Sequence, residues 1–105
     1  MSIEYSGKNN FEDKYIIKVE GKVIGNITVN FESRSIMNIF IVPDFERMGY
    51  GTRLVKHVED LFREKKFPII RTSTITSLEA KNFFSKLGFS IDNQELGLKI
   101  LSTEF

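Results

Sequence analysis

Apolar and polar residues alternate along the first half of the chain in a way that spells out strands. Tyr15, Ile17 and Val19 alternate with Lys18 and Glu20, the two-residue period of a half-buried strand. Val23, Gly25, Ile27, Val29 and Phe31 continue that period on a second strand. Glu20-Gly21 between them reads as a tight turn, since glycine accepts positive φ. Ser33-Arg34-Ser35 is the next turn. Ile36 to Val42 is almost continuously apolar, which predicts a strand covered on both faces, and Pro43-Asp44 ends it. Before these, the first dozen residues are polar, with only Ile3 and Tyr5 hinting at a short strand.

From Tyr50 to about Lys66 the period becomes helical. Leu54, Val55, Val58, Leu61 and Phe62 make one apolar stripe, with Lys56, Glu59, Asp60, Arg63 and Glu64 outside it. His57, the only histidine, is expected as a solvated surface residue. Pro68 to Thr74 reads as another strand. Thr76-Ser77-Leu78-Glu79 fits a capping box, Thr76 capping and Glu79 reaching back. Ala80, Phe83, Phe84 and Leu87 form the apolar face of the helix that follows, and Gly88 stops it. Phe89–Ile91 and Leu96–Leu101 suggest a hairpin around Asp92-Asn93. The expected order is β-β-β-α-β-α-β-β, an α/β fold with a mixed sheet.

With 105 residues the chain suits one domain, 1–105. A net charge of +1 gives no whole-protein pull toward nucleic acid or anionic membrane. Cysteine is absent, which excludes disulfides and thiolate metal sites, and no metal is expected. The polar N-terminus lacks a signal core, and no apolar run approaches the ~20 residues that span a bilayer. A cytoplasmic protein is therefore expected.

The stretch that carries chemistry is Ile39-Phe40-Ile41-Val42-Pro43-Asp44-Phe45-Glu46-Arg47-Met48-Gly49-Tyr50-Gly51-Thr52. A strand ends, a loop with two closely spaced glycines follows, and a helix begins. The first N–H groups of a helix have no intrahelical partner, and the macrodipole adds roughly half a positive charge there. Glycine lets backbone approach a phosphate. Gly-x-Gly alone fits equally a turn that needs glycine for geometry.

The wider context resembles the GNAT (N-acetyltransferase) superfamily. Ile41-Val42-Pro43 followed by Glu46-Arg47-Met48-Gly49-Tyr50-Gly51 is similar to that family's acetyl-CoA signature. Ala80-Lys81-Asn82-Phe83-Phe84-Ser85-Lys86-Leu87-Gly88-Phe89 is similar to its second motif. The resemblance implies a small GNAT-like fold: a mixed, mostly antiparallel sheet flanked by two main helices, with the family's N-terminal helix pair absent. It implies acetyl-CoA as acyl donor and a primary amine as acceptor, a small molecule or a protein N-terminus or lysine, attacked directly in a ternary complex. The backbone of Ile39, Phe40 and Ile41 would bond the acetyl and pantetheine amides. The N–H groups of Arg47, Met48, Gly49, Tyr50, Gly51 and Thr52 would hold the pyrophosphate. Asn82, Phe83 and Phe84 would flank the pantetheine arm.

The sequence departs from the family pattern at several positions. Glu46 replaces the usual Gln or Arg, and is expected to point outward with its backbone toward the ligand. Phe84 stands where the family usually has a tyrosine that donates to the leaving thiolate, and Thr72 where some relatives carry a glutamate base. Ser77 stands where asparagine is common. No catalytic residue is assigned. The alternative is a non-catalytic CoA-binding or protein-interaction module on the same fold. The strand Leu96 to Leu101 is a candidate edge for a homodimer.

Overall fold

The computed structural model describes residues 1–73 and 75–101; Thr74, the last residue of the strand expected from Pro68, lies outside them. Four strands come first: β1 (Ser2–Asn9), β2 (Glu12–Val19), β3 (Lys22–Asn30) and β4 (Ser35–Ile41). A 3-10 turn (Pro43–Phe45) leads into α1 (Tyr50–Glu64), followed by β5 (Ile69–Thr72), α2 (Leu78–Lys86), β6 (Ser90–Ile91) and β7 (Gly97–Ile100). The strands form one sheet in the order β1-β2-β3-β4-β5-β7-β6. Among the described residues only β4 and β5 run parallel. This is the expected mixed, mostly antiparallel sheet with two main helices and no N-terminal helix pair.

One strand more than expected precedes α1. The polar segment at the N-terminus pairs along β2 from Ser2↔Lys18 to Asn9↔Glu12. Its alternation is hidden by a bulge between Tyr5 and Gly7. The β2–β3 turn is the one the sequence predicts, with Glu20 (φ 52°) and Gly21 (φ 77°) both left-handed, as a two-residue hairpin turn of the right twist requires.

The core lies between the sheet and α1. Leu54, Val55, Val58 and Phe62 are fully buried against Ile17, Ile24, Ile27, Val29 and Ile70. Burying a side chain of this size contributes roughly 1.5–3 kcal/mol. Val23 is 48% exposed and Ile24 takes its place in the core, because the β2–β3 register shifts at Ile17/Lys18 and one extra residue flips the phase. Glu59 is 4% exposed rather than outside the stripe. Its carboxylate accepts two hydrogen bonds from Lys99 Nζ, at 3.0 and 3.2 Å. His57 is half-buried, its ring 5.4 Å from that of Tyr15 in an edge contact.

The ends of α2 follow local chemistry. Ser77, not Thr76, is the N-cap, and its Oγ accepts from the Ala80 N–H at 3.0 Å. At the other end Gly88 is left-handed (φ 93°). Phe89 N–H bonds Phe84 C=O and Gly88 N–H bonds Ser85 C=O, both at 3.0 Å. The Phe84 and Phe89 rings meet at 5.2 Å, completing a Schellman end with its apolar contact. Ser77→Ala should therefore cost about 1 kcal/mol of stability, read as a lower urea midpoint at unchanged slope.

The C-terminal strand is not the free edge that was expected. β7 sits between β5 and β6, which covers it at Gly97 and Leu98.

Candidate functional site

β4 and β5 meet and then part. They pair only at Ser35↔Arg71 and Ile36↔Thr72. Ser73 adds the last ties, its N–H to Ile36 C=O at 3.0 Å and its Oγ to Met37 C=O at 3.1 Å. Met37 is the extra residue where the β3–β4 register shifts, since Thr28 faces Asn38 while Val29 faces Ile36. Such a bulge bends and twists a strand, and here it falls where β4 leaves β5. β4 is consequently not covered on both faces, as its apolar run suggested: Phe40 is 50% exposed.

The split leaves backbone groups of β4 without a neighbouring strand. Val42 N–H bonds Ile24 C=O at 2.8 Å. By the alternation of an antiparallel ladder, Phe40 also turns its peptide groups to β3, while Ile39 and Ile41 turn theirs toward the gap. Gly25 permits the close β3–β4 approach, because a Cβ there would lie 2.5 Å from Phe40 C=O and 2.6 Å from Ile41 Cδ1. A glycine inside a strand is the one sequence signal for such an approach.

The Gly-x-Gly loop delivers a cluster of free donors. Phe45 N–H is spent on Val42 C=O and Glu46 N–H on Pro43 C=O. The next bonded donor is Arg53 N–H, to Gly49 C=O at 3.1 Å. The six N–H groups from Arg47 to Thr52 thus have no acceptor among the described residues. Arg47 (φ 62°) and Gly49 (φ 86°) are both left-handed. Gly49 is the N-cap of α1 and supplies no side chain to cap it, and the first turn carries no acidic residue. The space above it is open, with nothing within 4 Å of where a Cβ would stand. Gly51 has a different role: a Cβ there would lie 3.3 Å from the Phe83 ring, so it lets α2 pack on the start of α1. Glu46 is exposed, as expected, but its bonded N–H is not among the free donors.

The gap itself is a cleft of about 190 Å³, lined among others by Ile36, Ile39, Thr72, Ser73, Ala80 and Phe84. Phe84 is 5% exposed and wedged between Phe83 (5.0 Å) and Phe89 (5.2 Å), so one ring serves core and cleft. Asn82 is exposed on α2, outside this lining. Thr72 is buried, and its Oγ1 accepts from Gly97 N–H at 3.0 Å. A second hollow of about 400 Å³ lies toward β7 and includes Ser33, Met37, Arg71, Asp92, Leu96 and Leu98. Met37, Thr72 and Ser73 line both, so the hollows meet at the foot of the split.

The resolved shifts in acidity lie elsewhere, on the β1–β2 ladder. The hydrogen bond to Asp13 raises the Tyr5 pKa, burial raises that of Tyr15, and hydrogen bonds from Ser2 and Lys18 lower that of Glu4. Among the described residues no group of three or more His, Asp or Glu could hold a metal ion. No helix among them is long and apolar enough to cross a membrane.

A split parallel strand pair thus stands beside a helix start whose N–H donors have no acceptor among the described residues. Residues 3–89 match the acetyltransferase (GNAT) family model, and the chain belongs to that family. A sequence comparison with curated proteins returns no match. Among solved structures the chain is similar to Ard1 from Thermoplasma volcanium, with 26% identity and a TM-score of 0.76 over 85% of this chain and 70% of that one. It is similar to the PaiA N-acetyltransferase of Thermoplasma acidophilum, solved in complex with coenzyme A, with 16% identity and a TM-score of 0.76 over 85% and 60%. It also resembles the Escherichia coli ribosomal-protein-S18-alanine N-acetyltransferase, with 15% identity and a TM-score of 0.74 over 93% and 74%. The chain therefore spans three-fifths to three-quarters of the length of these proteins.

Proposed function

We propose that this protein transfers an acetyl group from acetyl-CoA to a primary amine, in a ternary complex and without a covalent enzyme intermediate. The observation that carries the reading is the run of six N–H groups from Arg47 to Thr52, at the start of α1, that have no acceptor among the described residues. Diphosphate oxygens are acceptors only, and a helix start with its partial positive charge suits them. The pantetheine arm then follows the gap, bonding the free peptide groups of Ile39 and Ile41. Phe40 turns its own to β3 and contributes through its place in the strand. Ala80 and Phe84 on α2 form the other wall, with Phe83 packed behind them on the start of α1 and Asn82 exposed outside the cleft.

The chemistry asks little of side chains. The amine nitrogen attacks the thioester carbonyl, a C–N bond forms, and the oxyanion is held by a β4 N–H. The C–S bond then breaks, and the proton lost by nitrogen ends on the thiolate. Fixing both reactants across the split supplies proximity, and a backbone donor aimed at the oxyanion supplies electrostatic stabilisation.

Phe84 favours a second reading, a coenzyme A-binding module without turnover, because its ring cannot donate to the thiolate. Incubation with acetyl-CoA and a panel of amines and peptides tests both readings. Release of free thiol with acetylated product is expected; coenzyme A binding with no turnover on any acceptor would select the second. Phe84→Tyr restores a donor beside the cleft and should raise turnover by about a hundredfold, the low end of general-acid assistance. An unchanged rate would show that the thiolate leaves without help from this position.

A further inference from the structure

Among the described residues that line the hollow on the β7 side of the split, one is a cation, Arg71. Arg71 is exposed between buried Ile70 and Thr72, so the two-residue period of β5 puts it on the face opposite α1. Its Nη1 reaches only the Ser33 carbonyl, at 3.4 Å, the outer limit of a hydrogen bond. Among the described residues no carboxylate lies within ion-pair distance of it. Asp92 lines the same hollow, but its Oδ1 is committed to the N–H groups of Gln94 (2.8 Å) and Leu96 (3.0 Å) in the β6–β7 turn. Leu96 and Leu98, each 40% exposed, form the apolar flank.

We propose that Arg71 selects acceptors, and that the preferred acceptor is an extended, peptide-like amine with a carboxylate on its third residue. The inference rests on the donor site proposed above, which brings the reactive amine to the foot of the split beside Ser73. Arg71 stands two residues earlier on the same chain and points its guanidinium toward Ser33, away from the mouth of the gap. Two residues along a strand span about 7 Å, and the same step separates the first and third residues of an extended peptide lying beside it. A planar guanidinium with free N–H groups takes a carboxylate in a forked pair. Leu96 and Leu98 then cover the second residue.

Calorimetric titration of the free protein and of its coenzyme A complex with two probes, Ala-Ala-Asp-Ala-amide and Ala-Ala-Asn-Ala-amide, tests this. The acidic peptide should bind about tenfold more tightly, with an advantage that shrinks at high salt. In Arg71→Gln the two peptides should bind equally, and Arg71→Lys should keep part of the preference. Equal affinities in the unmodified protein, binding of neither peptide, or a preference that survives in Arg71→Gln would each overturn the proposal. A parallel titration with coenzyme A separates the two ideas. Its failure would sink the donor site, while the peptide preference, read on the free protein, would still stand or fall on Arg71.

Discussion

Replacing Gly49 with valine should erase the thermal stabilisation that coenzyme A gives this protein. Ligand at a hundred times its Kd adds about 2.7 kcal/mol. In a domain of this size that amounts to a rise in Tm of roughly 10–20 °C. Gly49 sits at φ 86°, a region that a β-branched residue adopts only as an outlier, at a cost of roughly 1–2 kcal/mol. The loop can relieve that strain by rotating, and rotation turns the N–H groups of Met48 to Gly51 away from one another. If the loop holds, the isopropyl group occupies the open space above them instead. Either way the diphosphate loses its seat. The core should survive, because Gly49 is exposed and no heavy atom lies within 4 Å of its missing Cβ. A scan without ligand should therefore show a cooperative transition a few degrees to about 15 °C lower, and the scan with coenzyme A should coincide with it. A full ligand shift in Gly49→Val would mean that the diphosphate is held elsewhere.

Lys99→Met should destabilise the fold by about 3 kcal/mol although it lies away from the site. Glu59 is 4% exposed on the face of α1 that meets the sheet, and the ammonium of Lys99 from β7 is its main partner at 3.0 Å. Removing one partner of a buried pair leaves a charge without compensation, at about 3–5 kcal/mol. The lower end is expected here, because Arg63 stands 3.7 Å from the same carboxylate and Lys99 is itself 23% exposed. The double change Glu59→Leu with Lys99→Met should recover most of the loss, since an apolar pair of similar volume carries no desolvation penalty. Urea midpoints of the wild type, the two single variants and the double variant give the coupling directly. A Lys99→Met protein within 0.5 kcal/mol of wild type would show that water already reaches Glu59.

What could be read in the sequence was what neighbouring residues decide among themselves. The Glu20-Gly21 turn and the Gly88 stop each follow from a few consecutive side chains and stand where expected, and of the stripe Leu54, Val55, Val58 and Phe62 are buried while Leu61 is only half-buried and Glu59 joins the buried face. The cap at Ser77 was misplaced by one residue because Thr76 offers the same hydroxyl. Contacts set by a distant partner were not legible. The bulge that swings Ile24 inward depends on how β3 meets β2. The burial of Glu59 depends on a lysine forty positions away. The polar first strand exists because β2 offers it a ladder, not because its own pattern asks for one.

The same division runs through the site. The glycine loop and the α2 motif announced themselves by residue type and spacing. The split between β4 and β5 did not, because Met37 looks like any apolar strand residue until Thr28 and Val29 fix its register. Arg71 gave no signal either, since its meaning comes from Ser33 and Leu98, which the fold brings beside it.

Amide NMR of the isotopically labelled protein during a coenzyme A titration reads the donors themselves. The account predicts that the largest downfield proton shifts fall on the amides from Arg47 to Thr52, with smaller ones at Ile39 and Ile41, while Glu46 and Arg53, already bonded within the protein, move least. Saturating coenzyme A that leaves those six amides in place, or that moves a different set, would contradict it.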